Sequence, residues 1–238
     1  MIRFDKYMCD LGIGTRSEVK NWIRKGMVMV DGVVVTKPEQ KLDEEKAVIT
    51  FQGHTFSYVR YVYYMMNKPA GVIMATTDSK ERTVLDLLRE ELAAQNIPLR
   101  AGISPVGRLD KDTEGLLLLT DDGALSHHLL SPRHHVAKTY EVHCEKPVLK
   151  EDVQRLENGV DIGEDALTLP ANVEILTDSV ILLTIYEGRF HQVKRMMQAV
   201  NNEVVYLKRL QMGTLCLDES LKKGGIRPLT MEELHDLQ

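Results

Sequence analysis

The sequence predicts an α+β chain in two parts: a small N-terminal domain of two helices and a hairpin over residues 1–57, and a larger body over residues 58–238. Three observations carry this. Within the first 38 residues, two stretches with apolar residues at helical spacing are followed by strand, turn and strand. Residues 41–57 contain KLDEEK and show little apolar periodicity until Val48, the character of a linker. The rest interleaves β-branched and alternating runs with short helical patterns around four consecutive leucines at 116–119.

Composition sets the outer limits. A chain of 238 residues with 43% hydrophobic and 27% charged residues is long enough for one or two ordinary globular domains. No apolar run approaches a membrane span, and MIRFDKYMCD lacks a signal-peptide core, so a cytoplasmic location is expected. Cys9, Cys144 and Cys216 are odd in number and unpaired in spacing, which suits reduced thiols better than a disulfide framework or a zinc site. The net charge of −5 argues against the whole surface coating a polyanion. The charge is uneven, however: residues 1–41 hold eight Lys and Arg against five Asp and Glu, so a basic module joined to an acidic body is expected.

Taken in order, Phe4, Tyr7, Met8 and Leu11 stand at i, i+3, i+4 and i+7, an amphipathic helix stopped by Gly12. A second helix opens with Thr15 and Glu18 at capping-box spacing, buries Val19, Trp22 and Ile23, and ends at Gly26. Its Arg16, Lys20 and Arg24 recur every four residues and share one solvent face. MVMVDGVVVTKP then reads as a hairpin turning at Asp31-Gly32. In the body, YVRYVYYMMNKPAGVIMAT suggests a strand into Lys68-Pro69 and a second strand from Gly71. A short helix with Val84, Leu87 and Leu88 and a loop containing Pro98 follow. After the leucines come a helix over 124–130, a strand containing Tyr140, and a helix with Pro147 in its first turn. Strands near 171–176 and 180–186 lead to a helix beginning near Phe190. The chain closes with an extended 226–229 segment and a helix capped by Thr230 and Glu233.

The stretch VGRLDKDTEGLLLLTDDG, residues 106–123, organises the body. A charged loop holds Asp110 two residues after Arg108 and beside Leu109, and then enters the buried run. A carboxylate is thereby held at the end of a rigid core element. Asp121 and Asp122 suit a turn and a helix N-cap. The acids at 110, 112, 114 and 121 also fall on calcium-loop positions. That reading fails on the missing bidentate Glu, on the leucines that fill its second half, and on Pro105 where the entering helix would be.

This stretch resembles the catalytic motif of the pseudouridine synthases of the RsuA group, which isomerise uridine in ribosomal RNA. The resemblance puts the catalytic aspartate at Asp110. It also matches NKPxG at the opening of the body, an active-site tyrosine at Tyr140 in AKTYEVHC, an active-site basic residue at Lys194 in EGRFHQVKRMM, and a substrate-packing leucine at Leu207. The first fifty residues resemble the alpha-L RNA-binding domain of a ribosomal small-subunit protein, whose cationic helix faces RNA, here through Arg16, Lys20 and Arg24. The implied fold of the body is a mixed, mainly antiparallel central sheet flanked by helices.

The resemblance also implies roles. Asp110 acts as an ionised carboxylate at the sugar during glycosidic cleavage, with Lys194 as its expected cation and neighbouring Arg195 as the other candidate. Tyr140 and Leu207 sandwich an extruded uracil, and Arg108 holds a phosphate or fills the vacated space. Arg195 is grouped with Arg108 and Leu207 as substrate-binding. No metal or organic cofactor is implied, because isomerisation changes no oxidation state and consumes no second substrate. Adjacent histidines at 127–128 and 134–135 point apart on a regular element, so a basic surface suits them better than a metal site. His191 and His235 read as packing or surface residues. SPRHHVAKTY and EGRFHQVKRM are closer to the small-subunit enzyme of that group, which implies small-subunit ribosomal RNA or an assembly intermediate as partner; a monomer without membrane contact is expected. Three alternatives stand: a large-subunit synthase, a noncatalytic assembly factor, and a metal-dependent phosphodiesterase built on Asp110, Asp112 and Glu114.

Overall fold

The structure is a computed structural model that describes residues 1–43, 46–57 and 59–237. Glu44 and Glu45 of the expected linker, Tyr58 at the expected boundary and the terminal Gln238 lie outside the described residues. The chain divides into two units, one of residues 1–62 with 88–103, the other of residues 63–87 with 104–238.

In the first unit, helix α1 (Phe4–Asp10) and helix α2 (Arg16–Arg24) form where the apolar spacing places them. The start of α2 is a capping box: Thr15 Oγ1 accepts from the Glu18 N–H, and the Glu18 carboxylate accepts from the Thr15 N–H. The hairpin follows as β1 (Val28–Val30) and β2 (Val33–Val34). Its two turn residues, Asp31 at φ 50° and Gly32 at φ 79°, adopt the left-handed backbone that such a two-residue turn requires. Strands β3 (Val48–Phe51) and β4 (His54–Ser57) extend this to a four-stranded antiparallel sheet of order β2-β1-β3-β4. Phe4, Tyr7, Met8, Val19, Ile23, Val28 and Ile49 form its core, and the Trp22 ring packs 4.5 Å from Phe51.

The second unit is built on one sheet. Its strands are β5 (Tyr63–Lys68), β6 (Glu114–Thr120), β7 (Lys138–Cys144), β8 (Asn172–Thr177), β9 (Val180–Ile185), β10 (Val204–Met212) and β11 (Ile226–Pro228). They are ordered β8-β9-β7-β10-β6-β5-β11. Short strands Ser104–Pro105 and Leu215–Cys216 add to β6 and β10. The β6–β10 pair is parallel and the other neighbours in the order are antiparallel, so the sheet is mixed and mainly antiparallel. Every residue of β6 is buried, because it lies between β5 and β10 with both faces covered. This is why its leucines run consecutively instead of alternating. Helices α3 (Val84–Ala94), α4 (Gly123–Leu130), α5 (Lys150–Asn158), α6 (Gln192–Ala199) and α7 (Met231–Leu237) complete the elements.

Helix α4 is capped as expected, with the Asp122 carboxylate accepting from the Ala124 and Leu125 N–H groups. Thr230 and Glu233 likewise cap α7. Three expectations are corrected. The segment read as a linker, residues 41–57, holds β3 and β4, which pair into the sheet of the first unit. The strand expected from Gly71 is reduced to a single bridge, Ile73 with Thr83, because the segment's backbone bonds are divided between Lys111, which takes the Gly71 N–H, and residues 82 and 84, which pair with Ile73. Helix α5 starts at Lys150 and not at Pro147: the Val148 N–H is drawn to the Asp178 carbonyl, and the Asp152 carboxylate accepts from the Leu149 N–H. No helix among the described residues is long and apolar enough to cross a membrane.

Candidate active site

The loop before β6 is held from beneath by one lysine. Lys68, at the end of β5, is fully buried, and its ammonium lies 2.8–3.3 Å from the carbonyl oxygens of Pro69, Asp110, Lys111 and Thr113, to which it donates. Burial pushes this ammonium down to about 8, a shift only partly opposed by the carboxylates of Asp112, Asp110 and Glu114. The Gly71 N–H adds a bond to the Lys111 carbonyl, and the Thr113 N–H closes a turn onto Asp110. The backbone carrying Asp110 is therefore tied down on several sides before it enters the sheet. Gly115 permits the parallel approach of β6 to β10: a Cβ there would stand 2.2 Å from the Arg209 carbonyl oxygen.

Asp110 opens onto a cavity of about 620 Å³. The floor comes from strand alternation. On β7, residues 138, 140, 142 and 144 are buried and share a face; on β10, Leu207 and Arg209 do the same. Cross-strand pairing sets Tyr140 against Arg209 and Val142 against Leu207, so Tyr140 and Leu207 are diagonal neighbours on one face. The register slips between Thr139 and Tyr140, a bulge of the kind that re-aims side chains beside sites.

One wall is the turn into α6. Gln192 is buried and braces it, accepting the Arg189 N–H and donating to Glu187. The Arg189 guanidinium also donates to Glu187 and to the carbonyls of Ala166 and Leu167. At the end of this turn His191 takes a left-handed backbone, φ 48°, that an L-residue adopts only when its surroundings impose it. Its Nε2 stands 3.4 Å from Asp110 Oδ1, and Lys194 Nζ stands 3.4 Å from Asp110 Oδ2. Two nitrogen bases thus flank the carboxylate. Lys194 makes its shorter contacts with Asp112, at 2.7 and 2.8 Å, and this hydrogen bond lowers the Asp112 carboxyl below its usual range despite partial burial.

Asp110, Lys194, Tyr140, Leu207 and Arg108 all line the cavity. Arg195 does not. It turns the other way, donating to Glu164 Oε1 at 2.5 Å, to the Phe190 carbonyl at 3.0 Å and to the Ile162 carbonyl, so the ambiguity between the two adjacent cations is resolved in geometry. Arg16, Lys20 and Arg24 sit on α2 in the other unit and are exposed. His191, read from the sequence as a packing or surface residue, is brought to Asp110. Its signal was the i, i+3 spacing to Lys194 across a helix start. The three acids that a metal-dependent phosphodiesterase would gather are held by cations and a hydroxyl instead: Asp110 and Asp112 both by Lys194, Asp110 also by His191, and Glu114 by Tyr206 and Lys223. Among the described residues no three His, Cys, Asp or Glu side chains converge as metal ligands would.

Comparison with known proteins gives the class. The chain matches a family model described as RNA pseudouridylate synthase over residues 62–199 and an S4 domain model over residues 2–48. It belongs to the RNA pseudouridylate synthase family, with an N-terminal S4 domain.

Among its relatives, the chain is 49% identical to the uncharacterized RNA pseudouridine synthase YtzG of Bacillus subtilis, covering 98% of this chain and 97% of that protein. It is 42% identical to ribosomal small subunit pseudouridine synthase A of Escherichia coli K12 and 40% identical to the protein of that name in Vibrio cholerae, each covering 98% of both chains. A solved structure described as "Crystal structure of pseudouridylate synthase" matches with a TM-score of 0.68 and 38% identity, over 100% of both chains. The RsuA-group resemblance and the α+β architecture expected from the sequence are both borne out.

Proposed function

We propose that this protein converts a specific uridine of small-subunit ribosomal RNA to pseudouridine in the cytoplasm, with Asp110 as the catalytic carboxylate. The observation that carries the reading is the setting of Asp110: its backbone is pinned by the buried Lys68, its oxygens are faced at 3.4 Å by Lys194 and His191, and it opens onto a cavity floored by Tyr140 and Leu207. The relatives named as small-subunit synthases support the choice of RNA.

The chemistry breaks the bond between the ribose anomeric carbon and the base nitrogen, turns the base, and joins the same carbon to base carbon 5, whose proton leaves while the freed base nitrogen takes one up. Positive charge develops on the sugar as the first bond breaks. A carboxylate held close to the sugar stabilises it, and Lys194 and His191, each 3.4 Å from that carboxylate, hold it in place. A uridine in a folded RNA has to leave its stack to reach Asp110. Tyr140 and Leu207 offer the extruded base an aromatic and an aliphatic surface side by side. Tyr140 assists proton transfer, and Arg108, exposed at the rim, meets the backbone. In the S4 domain, Arg16, Lys20 and Arg24 add phosphate contacts without reading sequence.

The test is release of tritium from carbon-5-labelled uridine in small-subunit ribosomal RNA or its assembly particles, comparing wild type with Asp110→Asn. Release by wild type alone supports the reading. No release from any RNA or particle, despite tight binding, would sink it in favour of a noncatalytic assembly factor.

A further inference from the structure

The cavity contains two cations that the chemistry above leaves unused. Lys138, at the start of β7, and Arg209, on β10, both line it and are 9% and 1% exposed. Among the described residues neither has a carboxylate partner. Lys138 Nζ donates to the Val136 carbonyl at 2.8 Å, which leaves two of its three N–H groups over. The Arg209 Nε donates to the Leu116 carbonyl at 2.8 Å, while its buried Nη2 has no hydrogen-bond partner. Burial pushes the Lys138 ammonium below the ordinary lysine range, and the neighbouring Arg209 charge pushes it the same way.

Two desolvated like charges without a counter-ion oppose folding, and an orphaned guanidinium nitrogen adds to the cost. Neighbouring cations are satisfied: the buried Lys68 has four carbonyls, and the half-buried Arg189 has two carbonyls and the carboxylates of Glu187 and Glu164. Both side chains of the Lys138–Arg209 pair line the cavity, so an anion arriving there would supply the counter-charge that no described residue gives.

We propose that Lys138 and Arg209 form a phosphate subsite that holds one phosphodiester of the bound RNA, at or next to the extruded uridine. This rests on the isomerase reading and deepens it. A phosphodiester carries one negative charge and two free oxygens, enough for one donor from each cation, and its charge offsets one of the two positive charges that stand together in the free protein. The position also suits the task. Lys138 shares a strand face with Tyr140, and Arg209 lies across the strands from Tyr140, so a phosphate gripped there fixes the backbone beside the base-contacting surface. Because the grip needs the backbone to enter the cavity, it selects for an extruded nucleotide over a stacked one.

The experiment uses short RNAs centred on the uridine that releases tritium, each carrying one neutral methylphosphonate at successive positions, with kcat/KM measured for the full-length wild type and for Lys138→Met. For wild type, one methylphosphonate at or beside the target should lower kcat/KM by about tenfold or more, the others by much less. Lys138→Met should be slower on unmodified RNA and should lose about threefold or less on that same substitution, since a contact already lost cannot be lost twice. A flat scan with wild type overturns the subsite whatever the variant does, so a variant that fails to fold does not shield the proposal. Equal losses in wild type and a folded Lys138→Met overturn it as well. Thermal stabilisation by inorganic phosphate that Lys138→Met abolishes, with a flat RNA scan, would assign the pair to a free anion and also count against it. Absence of tritium release from every RNA and assembly particle would show that the isomerase reading itself had failed, and this inference with it.

Discussion

The cations of α2 and those around the cavity carry the same charge and differ in nearly everything else. Arg16, Lys20 and Arg24 are exposed, four residues apart on one helix, and water solvates them whether or not a ligand is present. Lys68, Lys138 and Arg209 are buried and held by backbone carbonyls on strands that start or end at the active site. An exposed cation binds a polyanion mainly by releasing counter-ions, so its contribution is general and fades with salt. A buried cation is desolvated in advance and has few geometries open to it, so its contribution is positional. One molecule thus separates holding RNA from holding one nucleotide in place.

The sharpest way to break this comparison is at the chemistry itself. Asp110→Asn should lower the rate of tritium release by at least about a thousandfold while leaving RNA affinity and the melting temperature near wild type, because the amide keeps the shape and removes the charge. A variant retaining a tenth of the activity would remove Asp110 from the centre of the mechanism.

Next in size is Lys68→Met. It removes one donor from four backbone carbonyls, of which those of Asp110 and Lys111 keep the Thr113 and Gly71 N–H groups, and urea unfolding should register a loss of about 1–3 kcal/mol. The pH dependence has a defined sign. The folded chain releases the Lys68 proton near 8, whereas the unfolded chain keeps it to the ordinary 10.5. Between those values the unfolded state binds more protons, so wild type should gain stability relative to Lys68→Met as pH rises from 8 to 10.5. A constant difference across that window would contradict the burial that lowers this group.

What the chain discloses of itself follows the range of the forces involved. Thr15 and Glu18, the leucines of β6 and the Asp122 cap were legible because each depends on neighbours within four residues. Asp110, Tyr140, Lys194 and Leu207 were found through resemblance, and the fold brings all four to one cavity. Lys68 passed as part of a turn motif, because its four acceptors include three more than forty residues away. His191 was missed because a left-handed residue before a helix leaves no mark on apolar periodicity. The face of Lys138 was readable, since alternation ties it to Tyr140 and Val142, but its lack of a counter-ion belongs to the three-dimensional packing alone.

Neutralising the exposed helix is expected to have a milder effect. Arg16→Gln, Lys20→Gln and Arg24→Gln together should weaken RNA binding evenly across sequences and lower the slope of log affinity against log salt by roughly two to three, with kcat unchanged. A drop in kcat would mean that α2 orients the substrate as well as attracting it.

The smallest effect is expected at Asp112, and it tests whether the carboxylates near the cavity are equivalent. Lys194 lies 2.7 Å from Asp112 and 3.4 Å from Asp110, so contact distance alone would make Asp112 the more important acid. Exposure argues the reverse: the Asp112 side chain is 70% exposed against 26% for Asp110. Water screens an exposed pair, and such pairs contribute about 0–1 kcal/mol. Asp112→Asn should therefore leave stability at pH 7 within about 0.5 kcal/mol of wild type, by denaturant unfolding. The sign with pH follows from the lowered carboxyl: whatever stability Asp112 gives is present above its ordinary value of 3.8 and is lost as pH falls through the folded value. Freed from Asp112, Lys194 keeps Asp110 as its remaining carboxylate, so tritium release should persist within a few-fold of wild type. A loss comparable to that of Asp110→Asn would mean that Lys194 serves Asp110 only when Asp112 holds it in place.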